Sequence, residues 1–183
     1  MEKNVVMIAM FTALIAVLGL IPPVTLGFGV PIHAQSLGVM LCGTVLGARR
    51  GALAVLLFLL LVAIGLPLLA GGRGGLGVFA GPTVGFLIGY PMAAYVTGLI
   101  VEKWRAAPLM LVAGIGAAVG GIVVMYIFGI IGLAIMIDKT LLESALLNTA
   151  FIPGDLLKAA IAGMLTAAMA KARPASLLSR AKM

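Results

Sequence analysis

The chain has 183 residues, of which 63% are hydrophobic, and its mean hydropathy is +1.29. Lys, Arg, Asp and Glu make up only 9% of the sequence, whereas about 25% of a typical soluble domain is charged. Too few polar groups are present to cover a soluble globule, which excludes a soluble enzyme, a disordered regulator and a disulfide-rich secreted scaffold. The apolar stretches are unbroken and lack the alternation of an outer-membrane barrel, so the sequence predicts an all-α membrane protein.

Uncharged apolar segments predict six transmembrane helices within a single domain over residues 1–183. The segments are residues 5–21, 32–46, 51–70, 82–101, 108–137 and 154–170. A helix needs about 20 residues to cross the hydrocarbon core of a bilayer. The first segment ends in Ile21-Pro22-Pro23 without a small-residue cleavage site, so we expect an uncleaved span and not a signal peptide.

The basic residues are divided unevenly between the two sides of these spans. An even number of spans puts both termini on one side, and nine Lys and Arg lie on that side, whereas Arg73 and Lys139 lie on the other. The positive-inside rule then predicts cytoplasmic termini in a bacterial inner membrane, with the loops at 22–31, 71–81 and 138–153 outside. The net charge of +7 therefore indicates topology and contact with anionic lipid, and no nucleic-acid partner is expected.

The sequence predicts no metal site and no cofactor. The chain has one cysteine, Cys42, and one histidine, His33. These counts exclude a disulfide framework and a metal site built from several cysteines or histidines. His33 lies at the outer start of the second span and is interpreted as a polar end group. A hydrolase triad of Ser36, His33 and Asp155 has no supporting motif.

Asp155 and Lys158 form an ionisable pair inside the sixth predicted span. A charged residue at membrane depth costs about 2.5–3.5 kcal/mol on insertion scales and is therefore a candidate for function. The i, i+3 spacing puts both residues on one helix face, which continues through Ala159, Ala162 and Thr166 and is expected to face the bundle interior. The structural alternative is a pair that neutralises itself and caps the helix near the outer surface.

The predicted outer segment 70–81 is rich in glycine, which permits unusual backbone conformations and close approach to a ligand. A G-x-G-x-x-G pattern occurs at Gly72, Gly74 and Gly77. We reject a dinucleotide site because no strand precedes this pattern and no βαβ unit encloses it. Arg73 and Phe79 lie among the glycines, which favours a loop that closes over a bound molecule rather than a plain connector.

Small residues recur every four positions on three spans. On the fourth and fifth they are Gly81, Gly85, Gly89, Gly116 and Gly120. We interpret these glycines as helix-packing faces. On the first span Ala9 and Ala13 repeat the spacing, and either intramolecular packing or docking of a partner's helix explains them.

Motifs along nearly the whole chain carry a resemblance to a known family. They are Gly47-Ala-Arg-Arg-Gly51, Ile64-Gly-Leu-Pro67 leading to Gly71-Gly-Arg-Gly-Gly75, Gly81-Pro-Thr83, and Phe151-Ile-Pro-Gly-Asp-Leu-Leu-Lys-Ala159. In these motifs the chain resembles the BioY family, the biotin-binding S components of energy-coupling-factor (ECF) transporters. The resemblance implies a six-helix bundle without enzymatic activity that takes up biotin together with a transmembrane coupling subunit and two ABC-type ATPase subunits.

The resemblance also implies roles for individual residues. Asp155 and Lys158 hold the ligand, the loop containing Gly72 and Gly74 closes over it, and Ala9 and Ala13 dock onto the coupling subunit. Biotin has a ureido ring, an apolar thioether ring and a carboxylate tail. On this basis Asp155 accepts hydrogen bonds from the ureido N–H groups, and Lys158 donates to the ureido oxygen. Arg73 pairs with the carboxylate. The opposite arrangement, in which Lys158 binds the carboxylate, stays open. The further ligand-binding residues are Phe79, Phe86, Thr83 and Gln35.

Three alternatives remain open from the sequence. The same fold is compatible with another vitamin as ligand. An intramembrane enzyme could use Asp155, Lys158 and His33 for proton transfer, although no nucleophile motif supports it. The third alternative is a purely structural or assembly subunit, which would not explain the glycine-rich loop or the ion pair.

Overall fold

The computed structural model describes residues 2–25 and 31–180, which are almost entirely helical. The α-helices described are Glu2–Leu18 (α1), Gln35–Leu41 (α2), Ala48–Ala63 (α3), Val84–Lys103 (α4), Leu109–Ala118 (α5), Met125–Met136 (α6), Leu141–Asn148 (α7) and Ile152–Ala172 (α8). Two short strands, Val24–Thr25 (β1) and Pro31–Ile32 (β2), pair antiparallel between α1 and α2. The π-helical segment Cys42–Leu46 extends α2, and Val119–Val124 joins α5 to α6.

Several helical stretches have the length and apolar character of membrane spans. Val84–Lys103, Leu109–Met136 and Leu141–Ala172 are long and apolar enough to cross a bilayer, and Gln35–Leu46 is a shorter apolar helix. Each of the six predicted segments overlaps a helical stretch. The all-helical membrane fold predicted from the sequence is therefore confirmed, whereas the number of spans stays a prediction.

The third predicted span, residues 51–70, is wrong at its C-terminal end. Helix α3 ends at Ala63, and Gly65 adopts a φ of 110°, a left-handed conformation that stops the helix. Two residues later Pro67 has no N–H to continue the helical hydrogen bonds. The chain instead folds back, because Gly75 N donates to Val62 O at 2.8 Å. Because apolar residues continue beyond Ala63, the hydropathy pattern did not reveal where the helix ends.

The predicted outer connection 138–153 contains a helix, α7, that the sequence analysis did not identify. Thr140 begins this helix with a capping box: its Oγ1 accepts from Glu143 N at 3.2 Å and its N donates to Glu143 Oε2 at 2.9 Å. The 3₁₀ turn Thr149–Phe151 connects α7 to α8, which begins at Ile152 instead of residue 154. The Thr-x-x-Glu signal was available in the sequence.

Glycines bring α4 close to its neighbours, which confirms the packing interpretation for most of them. A Cβ on Gly85 would lie 2.9 Å from the Cα of Gly132 in α6 and 2.2 Å from the carbonyl oxygen of Phe128. A Cβ on Gly120 would lie 2.4 Å from Ala93 O in α4. Similar approaches occur at Gly89 and Gly116. Gly81 is the exception, since the nearest atom to its Cβ position is 4.0 Å away.

The C-terminal segment covers the end of the bundle where α3 begins and α8 ends. Its buried residues are Leu177, Leu178 and Ser179. Ser179 Oγ donates to Thr44 O at 2.6 Å, and Lys3 Nζ donates to Ala175 O. The start of α1 and the C-terminal segment therefore lie at the same end of the bundle.

We expect Gly85→Ala to destabilise the protein, because the added Cβ has to displace a backbone carbonyl. Overpacking of this kind costs about 1–3 kcal/mol of unfolding free energy. Gly81→Ala is the matched control, since it belongs to the same four-residue repeat but has open space around it. Thermal unfolding in detergent, followed by circular dichroism, compares the two, and equal melting temperatures would show that close approach at Gly85 contributes nothing.

Candidate functional site

A cavity opens beside the N-terminal end of α8. Its empty space, counted up to and including the open mouth, is about 560 Å³. Its polar lining comprises His33, Gln35, Ser36, Arg73, Thr83, Tyr90, Tyr126, Asp155 and Lys158, and its apolar lining Leu69, Phe86, Leu87, Met125 and Phe151. The cavity therefore combines polar groups of both charges with aromatic and aliphatic walls.

A hydrogen-bonded ion pair forms one part of the cavity wall. Lys158 Nζ donates to Asp155 Oδ1 at 2.8 Å and to Ser36 Oγ at 3.0 Å. Ser36 Oγ lies 3.4 Å from Asp155 Oδ1, and Tyr126 Oη donates to Asp155 Oδ2 at 2.7 Å. Residues from α8, α2 and α6 thus converge on one carboxylate.

Burial makes these hydrogen bonds necessary. The side chains of Asp155 and Lys158 are only 8% and 17% exposed. Removing two ions from water is costly unless good geometry and further hydrogen bonds compensate, and the hydroxyl groups of Ser36 and Tyr126 provide those bonds. The pair is formally neutral, and Lys158 retains a third N–H without a partner among residues 2–25 and 31–180.

The sequence of α8 explains how the pair is positioned. Pro153 lies in the first turn, where its missing N–H costs nothing, and Asp155 also lies in that turn, where the helix dipole favours a carboxylate. The predicted interior stripe is confirmed, since Ala159, Ala162 and Thr166 are all buried. Thr166 Oγ1 donates to Thr44 Oγ1 at 2.8 Å and so ties the far end of this stripe to the helix that carries Ser36.

Gln35 lines the cavity, but its side-chain amide forms hydrogen bonds with backbone atoms. Its Nε2 donates to Ile15 O at 3.2 Å and to Leu68 O at 2.9 Å, and its Oε1 accepts from Ala70 N at 2.9 Å. Both N–H donors are therefore occupied. A Cβ on Gly19 would lie 2.7 Å from Nε2, so glycine there makes room for the amide. Gln35 holds the loop after α3 against α1.

Arg73 is presented by a tight turn. Leu69 and Arg73 exchange backbone hydrogen bonds at 3.0 and 3.2 Å, and the turn requires positive φ values of 80° at Gly71 and 69° at Gly72. Arg73 Nε donates to Ala70 O at 3.3 Å, while its terminal amino groups have no partner in the part of the chain that the structure describes. Of the described cavity residues, Arg73 is the cation without an acidic partner.

His33 also lies in the cavity wall, so its interpretation as a simple polar end group is incomplete. Its Nε2 is 3.2 Å from Tyr90 Oη, and its Nδ1 is shielded from solvent without a partner among the described residues. Of the residues considered for a hydrolase triad, Ser36 bonds to the ion pair, whereas His33 bonds to Tyr90. Groups of three or more acidic, His or Cys side chains that could hold a metal ion do not occur within residues 2–25 and 31–180.

The remaining candidate residues are distributed over three places. Thr83 and Phe86 line the cavity, and a Cβ on Gly129 would lie 2.3 Å from the Phe86 ring. The lining does not include Gly72, Gly74 or Phe79. Phe79 packs partly buried against the core, and Gly74 packs against the backbone at Leu66 O. Both residues of the Ala-x-x-x-Ala stripe, Ala9 and Ala13, are exposed on α1.

Sequence reasoning missed Tyr90 and Tyr126 as members of this site. A phenol inside an apolar span is a usable signal, because a buried hydroxyl normally finds a partner. Tyr95 carries the same signal, however, and is 37% exposed. The residue type alone therefore does not separate a cavity residue from one on the outside of the bundle.

Comparisons with known proteins agree with one another. The model of the BioY family matches residues 2–175. A biotin transporter BioY of Rhodobacter capsulatus is 54% identical over 98% of this chain and all of the relative. One of Rhizobium etli is 52% identical over 89% of this chain and 90% of the relative. The crystal structure of the S-component for biotin from an ECF-type ABC transporter is 33% identical, with a TM-score of 0.88 over 93% of this chain and 92% of that one.

Breaking the ion pair from one side is expected to cost more than removing both charges. Lys158→Met leaves a buried carboxylate without its counter-ion, and such a change typically costs about 3–5 kcal/mol. The double variant Asp155→Asn/Lys158→Met has no charge to compensate, so it should unfold at a higher temperature than Lys158→Met. Thermal unfolding without ligand measures the order. A double variant that is no more stable than the single variant would contradict this account of the pair.

Proposed function

This chain belongs to the BioY family, and we propose that it is the biotin-binding S component of an ECF-type transporter, without covalent chemistry of its own. The cavity carries the proposal, because it combines a neutral hydrogen-bonding cluster, apolar walls and the uncompensated cation of Arg73. These three environments correspond to the ureido ring, the thioether ring and the carboxylate of biotin. The names of the relatives, biotin transporters, support the same ligand.

We assign the ureido ring to the ion pair. A carboxylate has about four lone-pair positions, and Lys158, Ser36 and Tyr126 approach three of those of Asp155. Asp155 therefore has capacity for a ureido N–H, and the third N–H of Lys158 suits the ureido oxygen. Because the pair is neutral before and after binding, a neutral ligand group is the better match for it.

We assign the carboxylate to Arg73. Its terminal amino groups are unoccupied among the described residues, and a guanidinium binds a carboxylate through two parallel hydrogen bonds. The resulting complex has no net charge in the cavity. Phe86 and Met125 are the wall residues that suit the thioether ring, through aromatic and sulfur contacts. Thr83 adds a hydroxyl group to the polar lining.

The protein is a multi-pass membrane protein, and we infer a single domain of six spans with cytoplasmic termini in a bacterial inner membrane. Support comes from the nine Lys and Arg that the sequence puts on one side of the predicted spans and from hydrogen bonds between segments of that side. Arg180 Nη2 donates to Trp104 O at 2.9 Å, and Arg50 Nη1 donates to Leu178 O at 3.3 Å. The cavity lies at the start of α8 and so opens to the outside, which suits a subunit that captures an external vitamin.

Uptake also requires a source of energy, and the sequence has no phosphate-binding loop. We propose that a transmembrane coupling subunit and two ABC-type ATPases supply it, with Ala9 and Ala13 as the docking stripe. Both alanines are exposed on α1 beside Met10 and Val17, which are 60% and 59% exposed. Small residues on an apolar helix face allow another helix to approach closely.

Asp155→Asn and Lys158→Ala should each weaken biotin binding by about 10-fold or more, since either change leaves a buried group without its partner. Isothermal titration of the full chain in detergent measures this effect. Lys139→Ala and Glu143→Gln are matched controls, because these residues form an exposed ion pair at 3.9 Å outside the cavity. Unchanged affinity in both site variants would refute the assignment. Mass spectrometry of co-purified small molecules distinguishes biotin from another vitamin.

Bulky residues on the docking stripe should separate binding from uptake. The Ala9→Trp/Ala13→Trp variant is expected to bind biotin normally and to lose biotin uptake in cells that express the whole transporter. Ala160→Trp/Ala168→Trp is the control, since both alanines are exposed on α8. Normal uptake with tryptophan at both α1 positions would show that the stripe is not the docking surface.

A further inference from the structure

His33 has one ring nitrogen that the described part of the chain leaves without a hydrogen bond. Nδ1 is shielded from solvent, and a buried polar atom without a partner is destabilising. The ring lines the cavity, and its other nitrogen is held by Tyr90, which lines the same cavity. A bound molecule is therefore in a position to supply the missing partner.

Counting donors and acceptors indicates which group His33 offers. If Tyr90 Oη donates to Nε2, the phenol proton is satisfied and only the proton on Nδ1 lacks a partner. If Nε2 donates to Tyr90 instead, both the phenol proton and the lone pair of Nδ1 lack partners. The first arrangement leaves fewer unsatisfied groups, so the imidazole presents an N–H donor at Nδ1.

The charges of the cavity indicate what this donor binds. Asp155 and Lys158 neutralise each other, and Arg73 leaves one positive charge over. Lys158 and Arg73 both act electrostatically on His33, and Asp155 and Arg73 both act on Tyr90, so the ion pair and Arg73 all lie near this part of the wall. A donor near an uncompensated cation suits an anionic acceptor, and hydrogen bonds to a carboxylate are stronger than those to a neutral group.

We propose that His33 is a ligand-binding residue whose Nδ1–H donates to the carboxylate of the ligand beside Arg73, with Tyr90 as the residue that positions the imidazole. This inference rests on the proposed function, and it adds to Arg73 a second contact that selects an acid over its uncharged analogues. Tyr90 acts through His33: its hydroxyl selects the tautomer that carries the proton on Nδ1.

The test compares three variants against two ligands, using the full chain in detergent and isothermal titration with competition for weak binders. The ligands are biotin and an analogue whose tail ends in a methyl group in place of the carboxylate. His33→Ala should weaken binding of biotin by about 10-fold or more, the loss expected for a hydrogen bond to a charged group, and that of the analogue by less than about 2-fold. Tyr90→Phe should show the same selectivity with a smaller loss.

Conservative variants distinguish the two ring nitrogens. The amide nitrogen of His33→Asn can take the place of Nδ1, whereas that of His33→Gln reaches the place of Nε2. We therefore expect His33→Asn to recover most of the affinity for biotin and His33→Gln to resemble His33→Ala. Lys139→Ala serves as the control outside the cavity.

Two results would overturn the inference while leaving the proposed function intact. One is that His33→Ala weakens binding of both ligands equally, which would show that His33 contacts the rings of the ligand or has a purely structural role. The other is unchanged binding of biotin by His33→Ala, which would mean that water alone satisfies Nδ1. Failure of the wild-type chain to bind biotin would instead overturn the proposed function.

Discussion

A carboxylate that is removed from water needs an opposite charge and hydrogen bonds, and Asp155 obtains them from three helices. Lys158 lies on its own helix, whereas Ser36 comes from α2 and Tyr126 from α6. The residue next to Ser36 is Gln35, whose amide holds the loop after α3 and the end of α1. Two consecutive polar residues of α2 thus support the ion pair on one side and the turn that presents Arg73 on the other. Compensation of a single buried charge sets the relative positions of most cavity-lining segments.

Close helix packing makes that compensation geometrically possible. Residues on α4 and α6 reach the same cavity because Gly85 and Gly132 allow their backbones to meet without intervening side chains. Gly129 makes room for the ring of Phe86 in the same interface. Glycine therefore contributes volume where aromatic side chains need it, and the stripe that looked like a general packing motif also shapes the site.

Sequence patterns predicted the membrane class, the helical fold and the buried face of α8, because hydropathy and helical periodicity report burial directly. They also identified Asp155 and Lys158, since charge inside an apolar span is conspicuous. The end of α3 was missed because Leu68 and Leu69 are apolar, and apolar residues occur both in membrane helices and in loops that pack on a bundle. Tyr126, Tyr90 and the part played by Gln35 depend on which helices become neighbours, and that information is not local. The roles of individual residues in ligand binding stay predictions.

The pairing of distant segments around the cavity bears on the order in which the protein is made. Ser36 and Asp155 are 119 positions apart, and Thr44 and Ser179 are 135 positions apart. Synthesis proceeds from the N-terminus, so Ser36 and Thr44 are made long before the residues with which they form these hydrogen bonds. Asp155 and Lys158 are made after α2 and α6, the helices that carry Ser36 and Tyr126. The side chains that line the cavity therefore come together only after α8 has been made.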